Sequence, residues 1–166
     1  MPGLIVGSFI PDVEVPILFL FFDVGVDNHF ILHSLVGALT IGTIISILIT
    51  VYVYPILTSL IFRLDKAKLK EVCRLTPVLV FSCMLGNIFH LLLDLIMHPY
   101  SLILWPFVDP YNIVGILVLV FAVDGDLQLG FFIANVLTNL VMGLFMVVII
   151  IKNRRNLWDK ILIGKI

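Results

Sequence analysis

Charge is what this 166-residue sequence has least of, since 13% of its residues are charged and 61% are hydrophobic. Soluble globular domains average roughly 25% charged residues. The shortage excludes an ordinary soluble domain, a nucleic-acid-binding protein and a disordered tail. Cysteine is also scarce, and two cysteines do not make a disulfide framework. The composition therefore predicts a single integral membrane domain over residues 1–166.

Basic residues are absent from most of the chain. All ten Lys and Arg lie in two segments, residues 63–74 and 152–166. The positive-inside rule predicts that both segments are cytoplasmic in a multi-pass protein of the cell membrane. No Lys or Arg precedes the first apolar stretch, so we do not expect a signal peptide with a basic region. The four His and most of the acids lie outside the basic segments, so they need another cation as a partner.

Four apolar runs approach or exceed the ~20 residues that a transmembrane helix needs. The predicted spans are residues 3–22, 34–62, 75–97 and 127–151. Pro11 predicts a break in the first span, and Pro55 predicts a kink in the second. The two basic segments must share one side of the membrane, so we expect residues 99–123 to be re-entrant or interfacial. The predicted fold is an all-α polytopic membrane helix bundle of about four spans.

Two acids interrupt the first apolar run. An Asp at the centre of a membrane helix costs roughly 2.5–3.5 kcal/mol, so such residues are candidates for a function. Asp12 and Glu14 follow Pro11, which frees backbone groups and is tolerated where the chain lines a cavity. The alternative is that Asp12 only caps the start of a short helix.

Histidines and acids also occur at helical spacing elsewhere in the chain. His90 and Asp94 are four residues apart, so they share one helix face, and His98 lies one turn further outward. An imidazole and a carboxylate at this spacing suit Zn, Mn or Fe. The alternative is a buried Asp–His hydrogen bond that ties two helices together. His29 and His33 are again four apart, and they precede the second span on the same outer side.

The order of these motifs resembles that of a known family. Residues 7–14 (GSFIPDVE) resemble the G-x-x-x-P-D-x-D element of the YdjM/YbcI-type membrane-bound metal-dependent hydrolases. Residues 32–35 (LHSL) resemble the T-H-S-L element of that family. Residues 90–107 resemble its H-x-x-L-D element and the aromatic-proline stretch that follows it. The resemblance covers residues 7–107 and implies that five residues are ligands or active-site groups: Asp12, Glu14, His33, His90 and Asp94.

The resemblance leads to the prediction of an intramembrane metal-dependent hydrolase. Its substrate is expected to be a lipid-like ester or phosphoester near the outer interface. A divalent ion (Zn, Mn or Fe) would lower the pKa of a water from ~15.7 toward ~7. The residues expected to hold this ion are Asp12, His33, His90 and Asp94. Glu14 is expected to be a further ligand or the general base, and His98 or His29 is expected to protonate the leaving group.

Two other classes of protein explain the same polar residues. The first is a small metal or proton transporter, which with four spans would have to be a homo-oligomer. The second is a scaffold without catalytic activity, in which the polar side chains only hold helices together. In all three interpretations the expected partners are membrane lipids, and none involves nucleic acid.

Overall fold

The computed structural model describes residues 1–22, 31–154 and 157–164, and most of this part of the chain is helical. Its α-helices are α1 (Pro2–Phe22), α2 (Leu35–Phe62), α3 (Lys66–Val72), α4 (Pro77–Met97), α5 (Ile116–Phe121) and α6 (Leu127–Asn153). Four of them, α1, α2, α4 and α6, are long and apolar enough to cross a membrane. The predicted all-α bundle is confirmed, and the helix bounds lie within about two residues of the predicted spans.

The chain forms two compact units, and their boundary falls within α4. The first unit contains Met1–Leu91 and Trp158–Ile166, and the second contains Leu92–Leu157. The first unit therefore holds α1, α2, α3 and most of α4, whereas the second holds α5 and α6. The single domain expected from the composition stays a prediction.

The first helix, α1, is continuous through Pro11 and Pro16, so the predicted break is wrong. A proline removes one backbone hydrogen bond, but membrane helices tolerate it where neighbouring helices hold the chain in place. Here α1 packs directly on α4, because a Cβ atom on Gly7 or on Gly86 would overlap the backbone of the other helix. Asp12 consequently lies in the interior of α1, and the alternative that it caps a helix start is also wrong.

The second helix, α2, begins after Ser34, whose Oγ accepts a hydrogen bond from the Gly37 backbone N–H at 3.0 Å. It departs from α-helical geometry in two π-helical stretches, Ala38–Gly42 and Ile49–Val53. The second stretch ends two residues before Pro55, where the sequence predicts a kink. Such π-helical turns often occur close to functional sites.

Both basic segments contribute to one end of the first unit. Leu69 of α3 is fully buried there, in a core that also contains Val6 near the start of α1. Ile163, from the C-terminal segment, completes this core and is 3% exposed. The start of α1, helix α3 and the C-terminal segment therefore share one end of this unit, as a common membrane side requires.

The second unit holds the stretch predicted to be re-entrant or interfacial. Within residues 99–123 the only α-helix is the six-residue α5, which is too short to span a membrane. Helix α5 packs closely on α6, because a Cβ atom on Gly130 would overlap the carbonyl of Val118. Asp126 caps α6 by accepting hydrogen bonds from two backbone N–H groups of its first turn. The re-entrant or interfacial position of residues 99–123 stays a prediction.

Candidate metal centre

Three side chains able to bind a metal converge within the first unit. Asp12 comes from α1, His33 from the 3₁₀ turn just before α2, and His90 from α4. One ligand atom from each residue lies within 4.8 Å of the other two. Asp12 Oδ1 is 3.3 Å from His90 Nε2 and 3.7 Å from His33 Nε2. Three of the four predicted metal ligands thus meet from segments that are far apart in the sequence.

Glu14 fixes the orientation of the His33 ring. Its Oε1 accepts a hydrogen bond from His33 Nδ1 at 2.8 Å, and its Oε2 accepts one from the Leu32 backbone N–H at 2.9 Å. Because a carboxylate accepts hydrogen bonds, the Nδ1 atom carries the proton, and Nε2 of the neutral ring carries the lone pair. Asp12 and Glu14 point about 200° apart around α1, yet they contact opposite nitrogens of the same imidazole.

His90 is held in the same tautomer by the backbone of α1. Its Nδ1 donates to the Ser8 carbonyl at 2.9 Å, so its Nε2 is the atom that faces Asp12. This hydrogen bond depends on the close approach of α1 and α4 one turn earlier, where Gly7 meets Gly86. The absence of a side chain at those two positions therefore helps to build the site.

The three facing atoms are all hydrogen-bond acceptors in this arrangement. A carboxylate oxygen and two imidazole lone pairs at these distances repel one another unless a cation lies among them. A divalent metal ion supplies that charge, and so does a proton on one imidazole. Metal-binding histidines usually donate their other N–H to a carboxylate or a carbonyl, which is the arrangement of both rings here. The donor set suits Zn, Mn or Fe.

The centre is open on one side. The His33 side chain is 4% exposed and that of His90 is 13% exposed, whereas that of Asp12 is 58% exposed. Glu14 is also buried. The three side chains are therefore accessible along the Asp12 side, while the opposite side keeps the two rings in place.

Two further predicted residues, Asp94 and His98, belong to the second unit, where Asp94 Oδ1 is 3.6 Å from His98 Nδ1. The His98 ring also packs on Phe131, with the ring centres 5.4 Å apart. The ligand role of Asp94 and the proton-donor role of His98 stay predictions. His29 lies outside the described residues, so its expected role as a proton donor also stays a prediction.

The sequence did not predict two backbone groups that position the site. The Ser8 carbonyl binds the His90 ring, and the Leu32 N–H binds Glu14 and so holds the turn that carries His33. Nothing in these two residue types indicates such a role. Only the tertiary packing of α1 against α4 and the 3₁₀ turn could reveal them.

A second polar cluster lies one turn deeper along α4. Asn87 is fully buried, and its Nδ2 donates to Ser46 Oγ at 3.0 Å and to the Cys83 carbonyl at 2.9 Å. Its Oδ1 faces Gly42, where an added Cβ atom would lie 3.0 Å away. This neutral cluster joins α4 to α2 beneath the metal centre.

No family model, curated protein or solved structure matches this chain. The resemblance to the YdjM/YbcI-type hydrolases therefore stays a prediction from short motifs, and the candidate centre rests on its own geometry.

Proposed function

We propose that this protein is a membrane-embedded metal-dependent hydrolase of the YdjM/YbcI type. The observation that supports this most strongly is the convergence of Asp12, His33 and His90, with both rings held through Nδ1 so that Nε2 faces the carboxylate. A divalent ion held by these residues would activate a water and polarise the carbonyl or phosphoryl oxygen of a substrate.

Each residue of the centre then has a distinct part in the proposal. Asp12 supplies negative charge on the open side, and His33 and His90 supply neutral nitrogen ligands on the closed side. Glu14 holds the His33 ring and the turn before α2, which makes it a positioning residue. The proton for the leaving group is assigned to His98 or His29, as the sequence predicts.

The proposed substrate is a lipid-like ester or phosphoester. Residues 15–22, which follow Glu14 in α1, are all apolar, so the centre is reached through a hydrophobic surface. Such a surface favours a substrate that is already dissolved in the bilayer over a polar solute.

In the proposed topology, residues 63–74 and 152–166 are cytoplasmic. His33 then lies nearer to the outer face of the cell membrane. A single cysteine at position 68, in a background with Cys73→Ser and Cys83→Ser, tests this orientation. A membrane-impermeant maleimide should label Lys68→Cys only after the cells are permeabilised. Labelling from outside intact cells would contradict the proposed orientation.

A transporter is the less favoured function because of the contact between α1 and α4. An ion path through the first unit would have to continue inward from the metal centre, past Asn87. At that level the two helices touch backbone to backbone at Gly7 and Gly86, and this contact closes the route between them. The scaffold alternative uses the same three side chains as the hydrolase. It differs in that a proton on one imidazole, rather than a metal ion, lies beside the Asp12 carboxylate.

Metal analysis of the purified protein separates the three functions. Wild-type protein and Asp12→Asn are chelated, supplemented with Zn, Mn or Fe, and incubated with mixed lipid esters and phosphoesters. We expect about one ion per wild-type chain, hydrolysis that a chelator stops, and loss of both in the variant. Equal metal content in the two proteins, or none in either, would contradict the proposal. Ion flux into reconstituted vesicles without hydrolysis would indicate the transporter.

A further inference from the structure

Helix α6 differs from the other three membrane helices in how little of it is covered. In its apolar window 6% of the residues are buried, against 28% in each of α1, α2 and α4. Its buried residues, Gly130 and Ala134, both lie in its first third, where α5 packs on it. The second half of α6 therefore presents an apolar surface that the described residues do not cover.

Two amides lie on α6 near the middle of the apolar run. Asn139 is thirteen residues from Asp126 and thirteen from Lys152, the charged residues that bound this run. At ~1.5 Å per residue it lies about 20 Å from each of them, well inside the ~30 Å hydrocarbon core. Asn135 lies one turn away, toward Asp126. Neither water nor lipid headgroups reach this level, so hydrogen-bond partners have to come from protein.

The two amides satisfy each other only in part. Asn139 Nδ2 donates to Asn135 Oδ1. Because an amide side chain has two N–H donors and one carbonyl oxygen, this bond leaves Asn139 with one N–H and with its own Oδ1. Within the part of the chain that the structure describes, neither group makes another hydrogen bond. Unpaired polar groups are costly in hydrocarbon, so this helix face needs a partner that offers both a donor and an acceptor.

A second copy of α6 offers both groups at the right depth. All copies of a chain cross the membrane in the same orientation, so two α6 helices pair in parallel about a two-fold axis. Asn139 of one copy then lies at the level of Asn139 of the other. The free N–H of each donates to the free Oδ1 of the other, which makes the two bonds reciprocal. A single Asn in such a position also sets the register and the number of helices in coiled coils.

The neighbours of Asn139 have the spacing of a helix–helix contact. Phe132, Asn135, Asn139, Met142 and Met146 are separated alternately by three and four residues, and we call these five residues the α6 seam. This is the heptad spacing of left-handed helix pairs, which are also the common pairs in membranes. The three apolar members are 65%, 52% and 57% exposed. Their side chains are therefore available to pack on a facing helix, and the flexible Met side chains adapt readily to one.

We propose that the chain forms a homodimer in the membrane through the α6 seam, with Asn139 of each copy hydrogen-bonded to Asn139 of the other. Asn135 is a positioning residue in this interface, because it accepts the N–H of Asn139 that does not cross to the second copy. The dimer does not require the metal centre, whose three residues all belong to the first unit. It is therefore expected whether or not the protein is a hydrolase.

Disulfide cross-linking in membranes of cells that express the whole chain maps the interface. In a background with Cys73→Ser and Cys83→Ser, oxidation with copper phenanthroline should link two copies of Met142→Cys. Leu144 is 59% exposed, much like Met142, but it lies on the opposite face of α6. Leu144→Cys is therefore the control and should stay monomeric. No cross-link at Met142→Cys, or equal cross-linking of the two variants, would overturn the proposed seam.

Subunit counting measures the strength of the pairing. Protein labelled at Lys68→Cys, in the same background, is reconstituted into liposomes at decreasing protein-to-lipid ratios, and photobleaching steps give the fraction of dimer. Asn139→Ala should raise the Kd of the dimer by roughly tenfold, because it removes two hydrogen bonds that each contribute about threefold on average. Leu144→Ala, a truncation on the opposite face, should leave the Kd unchanged. Monomers at every ratio, counts above two, or equal effects of the two truncations would overturn the proposal.

Discussion

Two polar clusters lie one turn apart on α4, and they differ in charge. At Asn87 the amide Nδ2 donates to Ser46 Oγ and to the Cys83 carbonyl, while its Oδ1 faces Gly42 without a hydrogen-bond partner among the described residues. At His90 an imidazole nitrogen faces a carboxylate oxygen of Asp12 at 3.3 Å, and a second imidazole lies close by. The first cluster is neutral and joins two helices, whereas the second combines a carboxylate with two rings that could hold a metal ion. The presence of a carboxylate beside two imidazoles is therefore what makes the second cluster the candidate ligand site.

The largest expected effect comes from removing a ligand nitrogen. His90→Gln should weaken metal binding by at least about 100-fold, because it removes one of three ligands. Competition with a chromogenic chelator measures this affinity, and circular dichroism in detergent checks that the variant is folded. A folded His90→Gln protein that binds metal as tightly as wild type would place the ion elsewhere.

A smaller loss is expected when the support of a ligand is removed. Glu14→Gln cannot hold the Nδ1–H of His33 with a full negative charge, so metal affinity should fall by roughly 10–100-fold. Activity at saturating metal should recover most of its wild-type value, because a positioning residue acts through the ligand that it holds. If activity is lost while affinity is unchanged, Glu14 is the general base that the sequence analysis allowed.

The structural cluster should respond in the opposite way. Asn87→Ala should leave metal affinity unchanged but lower the free energy of unfolding by about 0.6 kcal/mol, the average measured for hydrogen bonds between membrane helices, and by at most about 1.7 kcal/mol. Unfolding in mixed detergent micelles measures the stability, and chelator competition measures the affinity. A large loss of metal with unchanged stability would erase the distinction between the two clusters.

The smallest effect concerns the cysteine at the basic end of the first unit. Cys73 is 1% exposed, and burial raises the pKa of its thiol to about 11. The thiol is therefore protonated at pH 8, and a maleimide should label it much more slowly than it labels Lys68→Cys in otherwise wild-type protein. Equal labelling rates under native conditions would show that this end of the unit is less closely packed than described.

The sequence predicted the four membrane helices because length and apolar composition alone decide them. It also singled out Asp12 and His90, since ionisable residues are costly in apolar runs, and His33, through its place on the same outer side and the family resemblance; the structure brings the three together, and their role as ligands stays a prediction. It did not predict the continuity of α1 through Pro11, because the contact that holds the helix there is between Gly7 and the distant α4.

The contact between Glu14 and His33 could not be predicted from the sequence for a similar reason. Two acids separated by one residue share a side in an extended chain but not in a helix. Whether they would act together therefore depended on the conformation of α1. In the helix they contact opposite nitrogens of His33, an arrangement that residue spacing alone does not reveal.

X-ray absorption at the zinc edge tests the central claim most directly. Zinc-loaded wild-type protein should show the scattering of two imidazoles with nitrogen atoms at ~2.0–2.1 Å, together with oxygen ligands at a similar distance. His33→Gln should remove one imidazole from the spectrum. A spectrum without imidazole scattering, or one with sulfur at ~2.3 Å, would contradict a metal centre built from Asp12, His33 and His90.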